Sequence, residues 1–249
     1  MKVICITQAR MGSTRLPGKV LQLIHNRPML EYHLMRVQQA KLVNTHIVAT
    51  SNSQTDLPIV EYCKQSKQKY FCGDEQDVLS RFYLAAIEAG AAPDDIIVRL
   101  TGDCPLICAQ LIDDAIIKHQ QGASSQGSSQ YTHVSLHYFP RGFDVEVFSM
   151  ALLTDAYAHA KTAAEREHVT LYLYTNENAA VVALETGQRQ WSQFRLCVDE
   201  VQDMQLVTEV IARLGDNWLQ ASPAQICQLL VENEQLAKIN NDVQQRSTH

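Results

Sequence analysis

Apolar runs and amphipathic stretches alternate along the first half of the chain. Short apolar runs bounded by polar or glycine positions, such as VICIT near the start, are typical of buried strands. Between these runs, apolar residues such as Leu30, Leu34 and Val37 recur every three or four positions, and this spacing predicts helices. The alternation favours a doubly wound, mostly parallel α/β sheet. The predicted strands are 2–7, 45–50, 69–72 and 96–101, and the predicted helices are 28–41, 57–67, 77–90 and 110–121.

The regular alternation stops at 122–130, where the sequence GASSQGSSQ predicts a flexible surface connection inside one domain. The second half mixes strand-like and helical segments without the earlier order. We therefore predict a single α/β domain whose parallel sheet carries a small antiparallel extension. The strands predicted here are 131–135, 143–148, 180–185 and 194–198, and the helices are 165–175, 201–214 and 223–231.

Composition places the 249-residue chain among ordered globular proteins, since 46% of its residues are apolar and 19% are charged. It contains no run of the ~18 apolar residues that span a bilayer, and its apolar start is too short for a signal peptide. Seven cysteines without a CxxC pair predict free thiols rather than disulfides or a zinc site. A cytoplasmic protein without a membrane partner is expected.

The charge distribution is uneven. The net charge of −6 argues weakly against nucleic-acid binding, and we expect no such partner. Residues 1–30 nevertheless carry five basic side chains and no acidic one. This basic start indicates a binding site for a small anion.

A glycine- and cation-rich loop, TQARMGSTRLPGK, follows the first strand. Loops at the carboxyl ends of parallel strands are where open α/β sheets bind ligands. Backbone N–H groups together with Arg10, Arg15 and Lys19 are the components of a phosphate site. The loop lacks the Walker A spacing and the GxGxxG pattern of dinucleotide-binding proteins. A solvated basic loop is the alternative.

Two aspartates stand where strands are predicted to end. Asp103 follows the strand 96–101 and precedes a helix, which places it beside the first loop. Mg²⁺ takes one or two carboxylates plus phosphate oxygens, although an aspartate at such a position also caps helices. Asp199, after the segment 195–198, allows the same two interpretations. Asp203, one turn further on, is expected to be a structural residue of the helix start.

Other polar residues are less specific. Asp144 and Glu146 alternate with valines and face one side of a strand, where they could bind a metal, bind a sugar hydroxyl or form a solvated face. Arg81 lies beside the apolar face of its helix, which by itself favours an ordinary salt bridge. Glu165 and His168 share a helix face, but the second pair that a di-iron site requires is missing from the sequence.

The string ITQARMGSTRLPGKVL at 6–21 resembles the signature of nucleotidyltransferases that make CMP-activated sugar acids, the CMP-KDO and CMP-acylneuraminate synthetases. It is most similar to their relative, the spore coat polysaccharide biosynthesis protein F family. The resemblance covers nearly the whole chain, and several ordered blocks are more specific than one motif. The further blocks are GDEQDVLSRF at 73–82, VRLTGDCPLI at 98–107, RGFDVEVFS at 141–149, EREHVT at 165–170 and RLCVDEVQDMQLV at 195–207.

This resemblance implies a nucleotide-diphospho-sugar transferase-like fold and one nucleotidyltransferase domain over 1–249. It implies transfer of CMP from CTP to a 2-keto sugar acid, KDO-like or nonulosonic-acid-like, with release of pyrophosphate, in surface polysaccharide biosynthesis. Residues 131–190 are then expected to form a subregion that binds the acceptor or mediates a homodimer.

The resemblance also implies roles for individual residues. Asp103 and Asp199 would hold Mg²⁺, and Asp144 and His168 would contact the acceptor. Catalytic roles fall on Arg10, Lys19 and Asp103, and the expected nucleotide contacts are Ala9, Arg10, Gly12, Ser13, Arg15, Lys19 and Arg81.

Two rival functions stay open at this point. A nucleotide-sugar-dependent glycosyltransferase shares the layout and would use Asp144 and Glu146 as its metal motif. A non-catalytic nucleotide-binding homologue is the other, and the presence of the cationic loop with both candidate metal aspartates argues against it. The sequence departs from the better-studied synthetases at 131–190, which leaves the acceptor open.

Overall fold

Seven strands form one sheet in which a single strand runs against the others. The computed structural model describes residues 1–126, 129–176 and 179–244. Within these residues the sheet order is β5-β4-β1-β6-β8-β7-β9, and β8 is antiparallel to both of its neighbours. The strands are β1 (Val3–Gln8), β4 (Thr45–Ser51), β5 (Tyr70–Gly73), β6 (Ile96–Thr101), β7 (Gln130–Val134), β8 (Glu146–Ser149) and β9 (Ala180–Leu184), with a separate antiparallel hairpin of β2 (Leu23–Ile24) and β3 (Arg27–Pro28).

Helices cover both faces of this sheet. The longer ones are α1 (Met29–Val37), α2 (Leu57–Gln65), α3 (Val78–Glu88), α4 (Ala109–Gln126), α5 (Met150–His159), α8 (Val201–Leu214) and α9 (Pro223–Glu232). The short ones are α6 (Ala163–Glu167), α7 (Leu171–Thr175) and α10 (Glu234–Ala237).

The central strand β1 shows why the first apolar run is continuous. Val3 and Cys5 join the core beneath α1, α4, α8 and α9, whereas Ile4 and Ile6 join the core beneath α3, α5 and α7. Successive side chains of a strand point to opposite faces, so a strand buried on both faces needs apolar residues at every position. The predicted doubly wound, mostly parallel sheet is thereby confirmed.

The predicted flexible connection at 122–130 is wrong over its first half, because α4 continues to Gln126. Residues 127–128 lie outside the described residues. A Cβ on Gly122 would come within 2.3 Å of the Gln130 side chain. This glycine therefore permits close packing of α4 against β7, and it does not interrupt the helix.

Two further segments differ from their predictions. The predicted strand 194–198 makes one isolated bridge, between Arg141 and Arg195, and crosses the strand ends without joining the sheet. The predicted helix 165–175 is divided into α6 and α7, since the backbone of His168 leaves the helical region. Neither α5 nor the β2–β3 hairpin was anticipated.

Arg36 connects three parts of the fold although it is only 1% exposed. Its Nε donates to the carbonyl of Ile107 at 2.7 Å, and Nη2 donates to the carbonyl of Ala221 at 2.7 Å. Nη1 donates to the carbonyl of Trp218. The guanidinium thus ties α1 to the segment before α4 and to the turn before α9. Buried polar groups need such partners to offset their desolvation.

Arg36→Met is expected to lower the free energy of unfolding by about 3 kcal/mol, because several buried carbonyl oxygens lose their donor at about 1 kcal/mol or more each. Chemical denaturation measures the change. The matched control is Arg213→Met on the exposed side of α8, where the side chain is 47% exposed and little change is expected. Equal stability of the two variants would contradict this role of Arg36.

All seven cysteines lie in the described residues as free thiols, as the sequence predicted. No helix of the described chain has the length and apolarity that a membrane span requires.

Candidate active site

One large cleft, with a volume of about 980 Å³, opens at the edge of the sheet where β1, β6 and β7 end and β8 begins. Because β8 is antiparallel, its first residue lies at the same edge as the last residues of the parallel strands. Every residue predicted for the site lines this cleft, namely Ala9, Arg10, Gly12, Ser13, Arg15, Lys19, Arg81, Asp103, Asp144, His168 and Asp199.

The loop after β1 is held by its own backbone and by Asp56. The N–H of Met11 donates to Asp56 Oδ1 at 2.7 Å, and the N–H of Gly18 donates to the Met11 carbonyl at 3.0 Å. Gly18 has a φ of +68°, which favours glycine, and it starts the 3-10 turn that begins at Lys19. The N–H of Ala9 is also used, by the Ala49 carbonyl. The loop lines the cleft with the cations Arg10, Arg15 and Lys19 and with Gly12, Ser13 and Thr14.

Lys19 lies between the two aspartates that the sequence singled out. Its Nζ is 2.9 Å from Asp103 Oδ2 and 2.9 Å from Asp199 Oδ1. It also donates to the carbonyl of Val198 at 2.6 Å. The Lys19 side chain is 9% exposed, so the ion pairs are largely shielded from solvent.

Backbone contacts bring the aspartates together from segments that are far apart in the sequence. Asp103 follows β6, and its carbonyl accepts the N–H of Val198 at 2.8 Å. The crossing segment is also held by Gly142, where a Cβ would lie 2.5 Å from the carbonyl carbon of Leu196. A larger residue at 142 would push this segment, and Asp199 with it, away from Asp103.

The three charges stabilise one another. Burial raises the pKa of Asp103 and of Asp199, but the Lys19 charge and its hydrogen bonds outweigh burial and hold the pKa of both carboxyls below the usual range. Burial lowers the pKa of Lys19, and the two carboxylates outweigh it and raise that pKa above its ordinary value.

Two arginines, Arg15 and Arg195, form further ion pairs with Asp199. Arg195 pairs with Asp199 and, at 3.1 Å, with Asp203. Asp203 accepts the N–H groups of Asp199 and Glu200, so it serves the start of α8, as predicted. Arg15 pairs with Asp199 at 3.0 Å and with Glu200 at 2.9 Å.

The donor set at Lys19 suits a hard divalent cation. Among the described residues no group of three metal-ligating side chains converges anywhere. Mg²⁺ needs only one or two carboxylates when phosphate oxygens and water complete its shell. Asp103 and Asp199 already converge on one positive charge, that of Lys19, which is the arrangement such an ion requires.

The opposite wall contains a second buried ion pair, between Arg99 and Glu146. Glu146 also accepts hydrogen bonds from Tyr131 and, at 2.7 Å, from Thr170. Burial raises its pKa, but Arg99 and these hydrogen bonds hold the pKa of Glu146 below its usual range. The carboxylate is engaged within the protein, which argues against Asp144 and Glu146 as a paired metal motif.

The remaining predicted residues differ in how far they are exposed and in what they contact. Asp144 accepts the N–H of Gly142 at 2.6 Å, and burial raises its pKa. Arg10 is exposed at the cleft, whereas Arg81 is 1% exposed and donates to the Asp74 carbonyl at 2.7 Å. His168 lines the cleft at the end of α6. Glu165 accepts backbone N–H groups at the start of α6 and is not paired with His168.

A family model described as "Cytidylyltransferase" matches residues 4–241. The chain belongs to the cytidylyltransferase family. It is 34% identical over 221 residues to the spore coat polysaccharide biosynthesis protein SpsF of Bacillus subtilis, which covers 86% of this chain and 88% of that protein. These findings confirm the resemblance stated from the motif blocks.

Solved structures agree with the family assignment. A cytidylyltransferase from Leptospira borgpetersenii is similar with a TM-score of 0.86 at 28% identity, covering 99% of this chain and 100% of that one. A CMP:2-keto-3-deoxy-manno-octonic acid synthetase complexed with CTP is similar with a TM-score of 0.59 at 17% identity, covering 86% of this chain and 99% of that one. The second likeness shows the fold alone.

Several residues that shape the site of this cytidylyltransferase were not identified in the sequence. Arg195 and Glu200 lie within the motif block at 195–207. Their charges close to Asp199 in the sequence are the signal that could have identified them. Arg99 stands in the block that contains Asp103, and its partner Glu146 is 47 positions away. Asp56 carries no local motif. Its contact with Met11 becomes visible only in the folded chain.

Glu146→Gln is expected to lower the free energy of unfolding by about 3 kcal/mol at pH 7, because it leaves the Arg99 charge buried without its partner. The folded-state pKa of Glu146 is depressed, so its contribution is present above the unfolded pKa of about 4.3 and is lost as the pH falls. The difference between variant and wild type should therefore narrow at pH 3.5.

Chemical denaturation at both pH values measures this difference. Glu234→Gln is the control, since Glu234 pairs with Lys238 on an exposed helix and should not affect stability measurably. A difference that is constant with pH would contradict the ionised state of Glu146.

Proposed function

We propose that this cytidylyltransferase transfers CMP from CTP to a hydroxyl of a 2-keto sugar acid and releases pyrophosphate, with Mg²⁺ as its metal. The observation that carries the proposal is the convergence of Asp103 and Asp199 on one cation beside the basic loop. The family description supports the cytidylyl donor. The motif resemblance to CMP-KDO and CMP-acylneuraminate synthetases supports the acceptor class, and the likeness to SpsF supports a role in polysaccharide biosynthesis.

The basic loop is proposed to bind the triphosphate. Arg10 is exposed at the cleft and available to a phosphate, and Arg15 and Lys19 follow within the same loop. An arginine can contact two phosphate oxygens at once, whereas a lysine acts as a point charge. These cations neutralise the charge that builds on the pyrophosphate as it leaves. Catalysis of such transfers is mostly positioning and electrostatic stabilisation.

Asp103 and Asp199 are proposed to hold the metal. When bound, Mg²⁺ would supply positive charge that offsets the negative charge developing on the transferring phosphoryl group. The protein's part is to keep both carboxylates ionised and aimed at one point. Arg195 and the Val198 backbone contact accomplish this by fixing the crossing segment against the turn after β6.

The acceptor is proposed to lie along the wall formed by β7 and β8, near Asp144 and His168. Its hydroxyl oxygen forms a bond to the α-phosphorus while the bond from that phosphorus to the β-phosphate bridging oxygen breaks. The hydroxyl proton passes to solvent water, and the electron pair of the broken bond leaves with pyrophosphate. A cleft of about 980 Å³ has room for a nucleotide and a sugar together.

We also propose that 131–190 forms the acceptor subregion and mediates a homodimer. The strand β9 stands at the end of the sheet, and its Val181 side chain is 49% exposed. Seven free thiols support a cytoplasmic location, where thiols stay reduced.

The test of the proposed reaction is pyrophosphate release from each of the four nucleoside triphosphates, with and without Mg²⁺, against a panel of 2-keto sugar acids. We expect release with CTP, Mg²⁺ and at least one sugar acid, and background rates with the other nucleotides. Hydrolysis of a nucleotide sugar, without pyrophosphate release from CTP, would instead favour the glycosyltransferase.

Asp103→Asn and Asp199→Asn are each expected to raise the Mg²⁺ concentration for half-maximal activity on the order of tenfold or more, since even indirect partners of metal ligands cost about that much in affinity. Both side chains keep their volume, so the variants should fold. The effects of the two substitutions on the Mg²⁺ requirement should not add in the double variant, because the two residues act as a unit.

Asp144→Asn is the comparison variant on the opposite wall. It should raise the KM for the acceptor and leave the Mg²⁺ dependence nearly unchanged. If Asp144→Asn altered the Mg²⁺ requirement and Asp103→Asn did not, the metal assignment would be wrong.

A further inference from the structure

The Lys19 ammonium has no hydrogen left for a phosphate. A protonated lysine carries three N–H donors. In the structure those donors have three acceptors, on Asp103 at 2.9 Å, on Asp199 at 2.9 Å and on the carbonyl of Val198 at 2.6 Å. Any contact between Lys19 and a phosphate oxygen therefore requires that at least one of these bonds be given up.

The two aspartates depend on that same ammonium. They come from positions 84 and 180 residues away from Lys19, and the ammonium is the charge that lies between them. If Lys19 moves to a phosphate, the two carboxylates lose the charge that lies between them. Arg15 and Arg195 still pair with Asp199 Oδ2, but Asp103 loses its ion pair with Lys19. A second cation must then take its place, or the pair becomes unfavourable.

We propose that Lys19 is the resident cation of the metal position in the nucleotide-free protein, and that it exchanges with a divalent metal ion when a triphosphate binds. This inference rests on the proposed function, since it takes the triphosphate and Mg²⁺ from it. The exchange couples the two ligands. The phosphate draws Lys19 away from the carboxylates, and the metal fills the position that Lys19 vacates.

The exchange has a thermodynamic consequence. A metal ion alone must compete with an ammonium already paired with both of its ligands, so the empty protein binds it weakly. A triphosphate alone must take Lys19 from its carboxylates, so it also binds weakly. Each ligand therefore increases the affinity of the other by the same factor, as linkage requires.

Arg15 shows that the constraint is particular to Lys19. Arg15 pairs with Asp199 and Glu200, but an arginine has five N–H donors in a planar fork and can keep a carboxylate while it donates to a phosphate oxygen as well. Its side chain is also 20% exposed, compared with 9% for Lys19. Arg15 can therefore contact a phosphate without giving up its carboxylates, whereas Lys19 must release at least one of its acceptors.

The test measures the affinity of the protein for Mn²⁺ in the absence of nucleotide. The paramagnetic resonance signal of free Mn²⁺ reports how much of the ion remains unbound. Mn²⁺ is a hard divalent ion that prefers the same oxygen ligands as Mg²⁺. Lys19→Met should bind Mn²⁺ about tenfold more tightly than wild type or better, because a unit positive charge is removed from between the two ligands. Adding Asp103→Asn to Lys19→Met should abolish this gain.

Arg10→Met is the matched control. It removes a positive charge from the same cleft, but Arg10 is exposed and does not stand between the aspartates, so Mn²⁺ affinity should change much less. If Lys19→Met does not fold, Lys19→Gln carries the same test, since its amide can still donate to the Val198 carbonyl without the charge.

The outcomes separate this inference from the proposed function. Equal Mn²⁺ affinity in wild type and the folded Lys19 variant overturns the exchange, even if wild type releases pyrophosphate from CTP. An equal gain in Mn²⁺ affinity for Arg10→Met also overturns the exchange, because the loss of any positive charge from the cleft would then have the same effect. Tighter Mn²⁺ binding confined to the Lys19 variant supports the exchange, even if the pyrophosphate screen shows no activity with CTP.

Discussion

The contact of Lys19 with Asp103 and Asp199 connects the three segments that form one wall of the cleft. The basic loop after β1, the turn after β6 and the segment before α8 carry one member each. A cation between two carboxylates contributes most where water is largely excluded, and the Lys19 side chain is only 9% exposed. Arg15, Arg195 and Asp203 extend this cluster into α8, so the position of that helix and the geometry of the site depend on the same charges.

The sheet explains why these segments meet. Strands β1 and β6 are parallel neighbours, with Gln8 opposite Thr101, so the loops that follow them leave the sheet side by side. The antiparallel strand β8 brings Glu146 opposite Arg99 at the same edge, and that ion pair closes the other wall. One wall therefore carries the Arg99–Glu146 ion pair, and the other carries Lys19 between two carboxylates. In the proposed reaction the loop binds the phosphates and the β7–β8 wall binds the acceptor.

Local signals were sufficient for much of the fold. The strand 96–101 and the helix 201–214 were predicted at their observed bounds, because each has a strong apolar pattern and clear ends. The helix α5 was not predicted, although Ser149 before its apolar run caps the N–H of Leu152. The segment 194–198 has the apolar composition of a strand but spans the strand ends, and periodicity does not distinguish these two cases.

The composition of the site was predictable to a similar degree. Positions after strands pointed to Asp103, and the motif blocks pointed to Asp199, so their presence in one cleft was expected. The pairing of Lys19 with both aspartates was not, since Lys19 was assigned to phosphate and the aspartates to metal. Contacts across 84 and 180 residues leave no trace in local spacing. Only the folded chain shows that the Lys19 ammonium lies between the two carboxylates.

A crystal structure of the protein with CTP and Mg²⁺ bound is the most direct test of how this cluster works. We expect the metal ion between Asp103 and Asp199, with Lys19 withdrawn from at least one of them and its Nζ on a phosphate oxygen. A structure in which CTP and Mg²⁺ are bound while Lys19 keeps both carboxylates and the Val198 carbonyl would contradict it.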